Sequence, residues 1–457
     1  MRATDKELKD TLWKAANKLR GSLPASHYKD VILGLVFLQH ACDAQWELLR
    51  RNAKSPAIGR LVDDAMGTLA LPRLCEGLDR RRLGELVCLL DSARFGERGR
   101  GRDLMGEVYE YFLGNFARAE GRRGGEFFTP PSVVRVIVEM LEPAGGRVYD
   151  PCCGSGGMFV QTERFVAQHA GDPADVTICG QESVEQTWRI ARMNLAVHGI
   201  DNTGLGERWG DTLLEDQHAG VQMDYVMANP PFNIRDWARD EDDPRWRFGV
   251  PPAANANYAW IQHILSKLAP GGKAGVVMAN GSMASNTLGE GDIRARIVDA
   301  DLVSCMVALP AQLFRSTSIP VCLWIFDTDK GERSGQVLFI DARGFGHLVN
   351  RAERALAHGE VARLADTYHA WRGSRAAAAK NLGYQDVPGF CGSACLDDIA
   401  AAGYTLTPGR YVGAPAAADD GEPVADKITR LTGDLLAALD ESARLDDVVR
   451  RQLERLR

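Results

Sequence analysis

The stretch Val148-Tyr149-Asp150-Pro151-Cys152-Cys153-Gly154-Ser155-Gly156-Gly157 decides the fold. An apolar run ends in an acidic residue, turns through a proline and a cluster of glycines, and gives way to a helical pattern beginning near Met158. Such a turn lets a ligand lie against bare backbone at the carboxyl edge of a sheet, because glycine has no side chain to keep it away. The spacing G-S-G-G departs from the G-x-G-x-x-G of a pyrophosphate cradle, so dinucleotide binding is not the natural reading. Asp150, Gly154, Ser155, Gly156 and Gly157 become candidate binding residues, although a tight structural turn would read almost the same.

Outward from this turn, short apolar runs alternate with helical segments between Arg147 and Ala342: RVYD, VTICG, DYVMAN, AGVVMAN, LVSCMVAL, VCLWIF and VLFID. That alternation predicts an α/β domain with a mostly parallel sheet. The second run ends in Cys179-Gly180-Gln181-Glu182, and a carboxylate at that place in a doubly wound sheet accepts hydrogen bonds from both hydroxyls of a ribose. The third ends in Asn229-Pro230-Pro231-Phe232. Two consecutive prolines remove two backbone donors and stiffen the loop. The Asn229 amide oxygen and the Pro230 carbonyl can then accept both hydrogens of a planar amino group, while Phe232 stacks on the base that bears it.

Before the sheet, residues 1–116 read as a helical domain, with Leu12, Ala15, Leu19 and then Val31, Leu35, Leu38 at helical spacing. Gly- and Arg-rich breaks at 94–102 and 121–125 separate it from an α/β domain at 117–345. A looser extension spans 346–420, and 421–457 reads as a helix for docking a partner, with Val424, Ile428, Leu431, Leu435, Leu445 and Val449 near a heptad seam. Residues 233–258 are long for a connection and read either as a lid or DNA-facing loop or as a disordered insertion.

The net charge of −7 argues against tight, autonomous grip on duplex DNA, which calls for a basic face. Phosphate contacts would then come from a local patch or from a partner. The charged opening MRATDKELKDTLWKAANKLR and the absence of a long apolar run predict a cytoplasmic protein with no membrane contact. The scattered cysteines suit that compartment, and Cys391 with Cys395 lacks the second pair or histidines of a zinc site, so no metal is expected.

The glycine turn, the acidic strand end and N-P-P-F, in this order, resemble the amino-methyltransferases of DNA. Glu126-Phe127-Phe128-Thr129-Pro130-Pro131 resembles the segment that closes over S-adenosylmethionine in modification subunits of type I restriction-modification systems. The opening LWKAANKLRGSLPASHYKDVILGLVFL is similar to their N-terminal helical domain, and LFRSTSIPVCLWIF and GYTLTPGRYVG to their later regions. The resemblance covers nearly the whole chain and implies a Rossmann-like class I methyltransferase fold that transfers methyl to N6 of a flipped adenine. It implies that Glu126 to Pro131 and Ser155 to Gly157 surround the cofactor, that Glu182 holds its ribose, and that Asp211 meets its adenine. Double-stranded DNA, a specificity (S) subunit, a second copy of the modification subunit and a restriction (R) subunit are the implied partners. The rival readings are methylation of a protein glutamine amide and a non-catalytic assembly role.

Overall fold

Residues of the central strands alternate between two apolar faces, and helices cover both, which makes three layers. The computed structural model describes residues 25–41, 43–51, 62, 80–92, 129–169, 171–314, 320–350, 353–414 and 424–454. Helices α1 (Ala25–Ala41), α2 (Asp43–Arg51) and α3 (Arg80–Ser92) come first. Helix α4 (Pro131–Leu141) leads into β1 (Gly146–Asp150), α5 (Gly157–Gln168), β2 (Val176–Gly180), α6 (Glu185–His198) and β3 (Met223–Ala228). Then follow α7 (Asn257–Lys267), β4 (Leu268–Ala279), α8 (Glu290–Asp299), β5 (Val303–Ala308), β6 (Val321–Asp327) and β7 (Gln336–Asp341). A small hairpin, β8 (His347–Asn350) and β9 (Glu353–Ala355), precedes α9 (His358–Arg372), α10 (Arg375–Ala379), β10 (Cys391–Cys395) and α11 (Leu396–Ala401). Helix α12 (Val424–Glu454) forms a unit of its own.

The eight-stranded sheet has the order β10-β7-β5-β6-β4-β3-β1-β2. Strands β2, β1, β3 and β4 run parallel, while β6 is antiparallel to β4 and β5, and β10 to β7. Val148, Ile178, Met227, Val277 and Leu323 face one side, where α4, α5, α6 and α9 cover them. Their neighbours Tyr149, Cys179, Val226, Val276 and Trp324 face the other side under α7 and α8. Both faces are therefore dry, which explains why the strands read as unbroken apolar runs.

The sheet does not stop at residue 345, and this corrects the expected boundary. Strand β10 pairs with β7 from Cys391↔Ile340 to Cys395↔Gln336, and α9 packs on α4, where His369 Nε2 donates to the Glu139 carbonyl at 2.8 Å. Residues 346–413 thus belong to the same layered body, since a strand that finishes a sheet edge cannot be a separate extension. Helix α1 packs on α6, so the described N-terminal helices sit against the sheet's helical cover.

Helix α4 can settle on the sheet because β4 has no side chain beneath it at Gly275. A Cβ there would lie 2.6 Å from Ile137 Cγ2 and 3.4 Å from Leu141 Cδ1. Ile137 is β-branched and stiff within its helix, so it cannot swing aside. Gly275→Val should overpack this contact, cost about 1–3 kcal/mol and lower the melting temperature of the full chain. A melting temperature equal to that of the parent chain would refute this account of how α4 is seated.

Candidate active site

At the end of β1 the backbone makes two left-handed steps that favour glycine, at Gly154 (φ +54°) and Gly156 (φ +79°), the second capping α5. The turn is pinned from several sides. Cys153 N donates to Gln181 O (2.9 Å), Gly156 N to Cys153 O (2.8 Å), and Asn194 Nδ2 from α6 to Ser155 O (2.8 Å). A Cβ on Gly157 would meet nothing within 4 Å, so the start of α5 is open to a ligand.

Two buried carboxylates face this turn. Asp150 Oδ1 accepts from Cys152 N at 3.0 Å, and burial pushes its carboxyl up to about 7. Glu182 Oε2 accepts from Gly154 N (3.1 Å) and Oε1 from Val184 N (2.8 Å); burial raises its pKa against these hydrogen bonds. Oε1 also accepts a longer hydrogen bond from Ser183 Oγ (3.4 Å), so the lone pair left free is on Oε2, and a second hydroxyl would take the place of the Ser183 hydroxyl. Next to it, buried Gln181 staples the following loop: its Nε2 donates to Gly210 O (3.1 Å) and Glu215 O (2.7 Å), and its Oε1 accepts from Gln217 N (3.2 Å). This brings Asp211 and Thr212 to the cleft, and Thr212 Oγ1 donates to Pro151 O at 2.5 Å.

Opposite them, β3 delivers Asn229. Its Nδ2 donates to Thr129 Oγ1 at 3.1 Å, whereas its Oδ1 is buried and has no hydrogen-bond partner among the described residues. Trp260 Nε1 on α7 is likewise buried without a partner, and its ring lines the same cleft. One idle acceptor and one idle donor at a common concavity mark a place where a ligand completes the hydrogen bonding. The cleft encloses about 930 Å³, open mouth included.

Residues 233–256 are not a disordered insertion. Asn233 and Asn257 close the base of the loop reciprocally at 2.9 Å each, and Trp237 stands edge-on to Trp246 at 5.7 Å, both buried with Leu213 and Trp260. Arg245 pairs with Asp243 and donates to Thr212 O (3.0 Å), Leu213 O (2.7 Å) and His263 Nδ1 (3.1 Å). The loop therefore buttresses the wall that carries Asp211. Because an arginine only donates, His263 Nδ1 holds the lone pair; its Nε2 proton then goes to the Tyr149 hydroxyl, 3.2 Å away.

Of the residues singled out in the sequence, Thr129, Asp150, Gly154, Ser155, Gly157, Glu182, Asp211, Asn229 and Pro231 line one cleft. Gly156 lies behind the turn, against Leu195 of α6. Pro130, Pro131 and Pro230 stiffen the supports and do not form the wall. Phe232 is set edge-on to Phe314 at 6.3 Å, outside the cleft lining. Glu126, Phe127 and Phe128 lie outside the described residues. Sequence reading missed Pro151, Cys152, Cys153, Met158, Ser183, Thr212, Ile234 and Trp260 as lining residues; most adjoin a recognised motif, while Trp260 is legible only as an aromatic in the apolar helix after the loop.

Residues 100–420 match the family model for the N-6 DNA methylase, and residues 8–97 match the HsdM N-terminal domain. The chain belongs to the N-6 DNA methylase family. The methylase is 42% identical to the methylase subunit of the type I restriction enzyme HindI from Haemophilus influenzae, over 94% of this chain and 99% of that one. It is 33% identical to the MjaIX methylase subunit of Methanocaldococcus jannaschii, over 98% and 91% of the two chains. In fold it is similar to a type I restriction-modification methyltransferase subunit from Streptococcus thermophilus (TM-score 0.72, 22% identity, 90% of this chain and 100% of that one). A second solved structure, from work on assembly and conformational transition of the type I system, gives a TM-score of 0.66 at 18% identity over 98% of this chain and 99% of that one. The expected class of methyltransferase fold is thereby shown. Neither the glutamine-amide reading nor a non-catalytic role finds support among these proteins.

The buried His263 behind the wall that carries Asp211 makes stability depend on pH. Burial lowers its pKa from 6.5 to about 3, with Asp216 opposing and Arg245 adding to the fall. The unfolded chain binds this proton below about pH 6.5 and the folded chain does not, so the contribution is complete above 6.5 and is lost as pH falls towards 3. The loss is about 1 kcal/mol per pH unit. The melting temperature of the parent chain should fall more steeply from pH 7.5 to 5 than that of His263→Gln. Parallel falls would contradict the assignment.

Proposed function

We propose that this methylase binds S-adenosylmethionine along the 150–157 turn and transfers its methyl group to N6 of an adenine extruded from duplex DNA, as the modification subunit of a type I restriction-modification complex. The observation that carries the reading is the unpartnered, buried Asn229 Oδ1, in one cleft with the glycine turn and Glu182. The chemistry of the cleft fits the cofactor: bare backbone at Gly154 and Gly157, a carboxylate that offers a diol one free lone pair and one held only by the Ser183 hydroxyl, and Asp211 beside it for the adenine amino group.

When bound, S-adenosylmethionine supplies an electrophilic methyl group on a sulfonium. The protein need not generate a strong nucleophile, and its main contribution is positioning. Asn229 Oδ1 and the Pro230 carbonyl accept from the two amino hydrogens, which draws the nitrogen lone pair out of conjugation. Those hydrogen bonds strengthen as positive charge grows on the nitrogen, so they favour the transition state over the ground state. The base must leave the duplex for this contact, at a cost of a few kcal/mol, and Phe232 offers it a stacking face once turned from Phe314.

The likeness to type I methylase subunits supports a place in a larger assembly, with double-stranded DNA, a specificity subunit, a second copy of the modification subunit and a restriction subunit as partners. Helix α12 supports a docking role in that assembly: Ile428, Leu431, Leu435, Leu439 and Leu445 are about half exposed along one amphipathic helix. The protein's net charge of −7 agrees with a division of labour in which another subunit reads the DNA. No helix among the described residues is long and apolar enough to cross a membrane.

Methylome sequencing of the host with and without the gene tests the reading, with N6-methyladenine expected at one recognition site only when the gene is present. Asn229→Ala should abolish those marks while cofactor affinity changes less than about threefold. Full methylation by this variant would remove Asn229 from the reaction.

A further inference from the structure

The Asn229 amide has two ends of nearly equal size, and half a turn about its last torsion exchanges them. Only one end suits the proposed reaction. The amino group to be methylated donates hydrogens, so Oδ1 must face it; Nδ2 in that place would set donor against donor. Something has to fix the choice before the base arrives.

We infer that Thr129 is a positioning residue whose hydroxyl takes the Asn229 Nδ2 hydrogen and thereby aims Oδ1 at the target amino group. The contact is 3.1 Å and joins residues 100 positions apart in the sequence. Among the described residues Thr129 is the one side-chain partner of this amide, and Oδ1 remains buried and unpartnered in the cleft. Both ends of the contact rest on rigid supports. Thr129 precedes Pro130-Pro131, which confines its backbone to extended angles. Pro131 opens α4, whose first turn is tied down by Val133 N and Val134 N donating to Pro130 O at 2.9 and 3.1 Å. Asn229 in turn sits between the buried end of β3 and Pro230-Pro231. The hydroxyl and the amide are thus held in register by α4 and the sheet, on which α4 is seated at Gly275.

The inference rests on the assignment of Asn229 to the target amino group, so the experiment separates the two. Single-turnover methyl transfer at saturating S-adenosylmethionine is measured in the assembled modification complex, on duplex DNA carrying the mapped site, for Thr129→Val, Thr129→Ser and Asn229→Ala. Cofactor affinity of each is measured by calorimetry. Thr129→Val keeps the shape and loses the acceptor, and at saturating cofactor its rate should fall about tenfold, the size expected for one orienting hydrogen bond. Thr129→Ser restores the acceptor and should retain at least half the rate. A parental rate in Thr129→Val, a loss confined to cofactor affinity, or an equal loss in Thr129→Ser would each overturn the inference. If Asn229→Ala is inactive while Thr129→Val is not, only the role of Thr129 falls; if Asn229→Ala is itself active, the assignment of the site falls with it.

Discussion

A buried carbonyl oxygen without a donor costs about 1–3 kcal/mol, so a protein keeps one only where the surroundings leave no alternative. Asn229 Oδ1 is held in that condition by strand β3 behind it, two prolines after it and Thr129 on its other amide atom. The rest of the α/β body is organised around this requirement. Seating α4 over Gly275 brings Thr129 within reach of the amide, and parallel pairing of β1 with β3 brings the glycine turn to the same edge of the sheet. A site that waits with its hydrogen bonds unmade can gain them when charge develops on the substrate, which is the condition for differential stabilisation.

The opposite wall carries a different kind of constraint. Asp150 and Glu182 are both almost fully buried, and burial raises the pKa of each, yet backbone donors of the turn and of the 183–184 segment hold their oxygens. The glycine turn is therefore shaped by the carboxylates as much as by its own freedom of φ. Behind it, Gln181 and Arg245 fasten the 210–213 loop from two directions, one from β2 and one from the tryptophan-packed loop after Asn229. The two loops that bracket the cleft are in this way coupled through side chains that touch neither proposed ligand.

Much of this was legible in the sequence because it is local. Strands β1 to β7 announced themselves as apolar runs, and the glycine turn, Glu182 and Asn229 to Phe232 each follow a strand's carboxyl end, where doubly wound sheets place their ligands. What escaped the sequence depends on partners far apart in the chain. Arg245 reaches back to Thr212 and Leu213, and β10 returns to β7 across two helices, so neither could be read from spacing. The 233–256 loop carries no period to read, and only its contacts with Trp260 and His263 reveal it as a packed buttress. Phe232 was legible as a motif residue, but its ring packs on Phe314, a neighbour supplied by the segment that follows β5.

The central claim is that one cleft presents a methyl donor to an amino group held by Asn229. A structure of the assembled complex with a non-reactive analogue of S-adenosylmethionine and target duplex tests it most directly. The account predicts the analogue along residues 150–157 with its ribose on Glu182, and an extruded adenine whose amino nitrogen lies within about 3.2 Å of Asn229 Oδ1. An adenine still stacked in the duplex, or one whose amino group meets Asn229 Nδ2 or no part of Asn229, would contradict it.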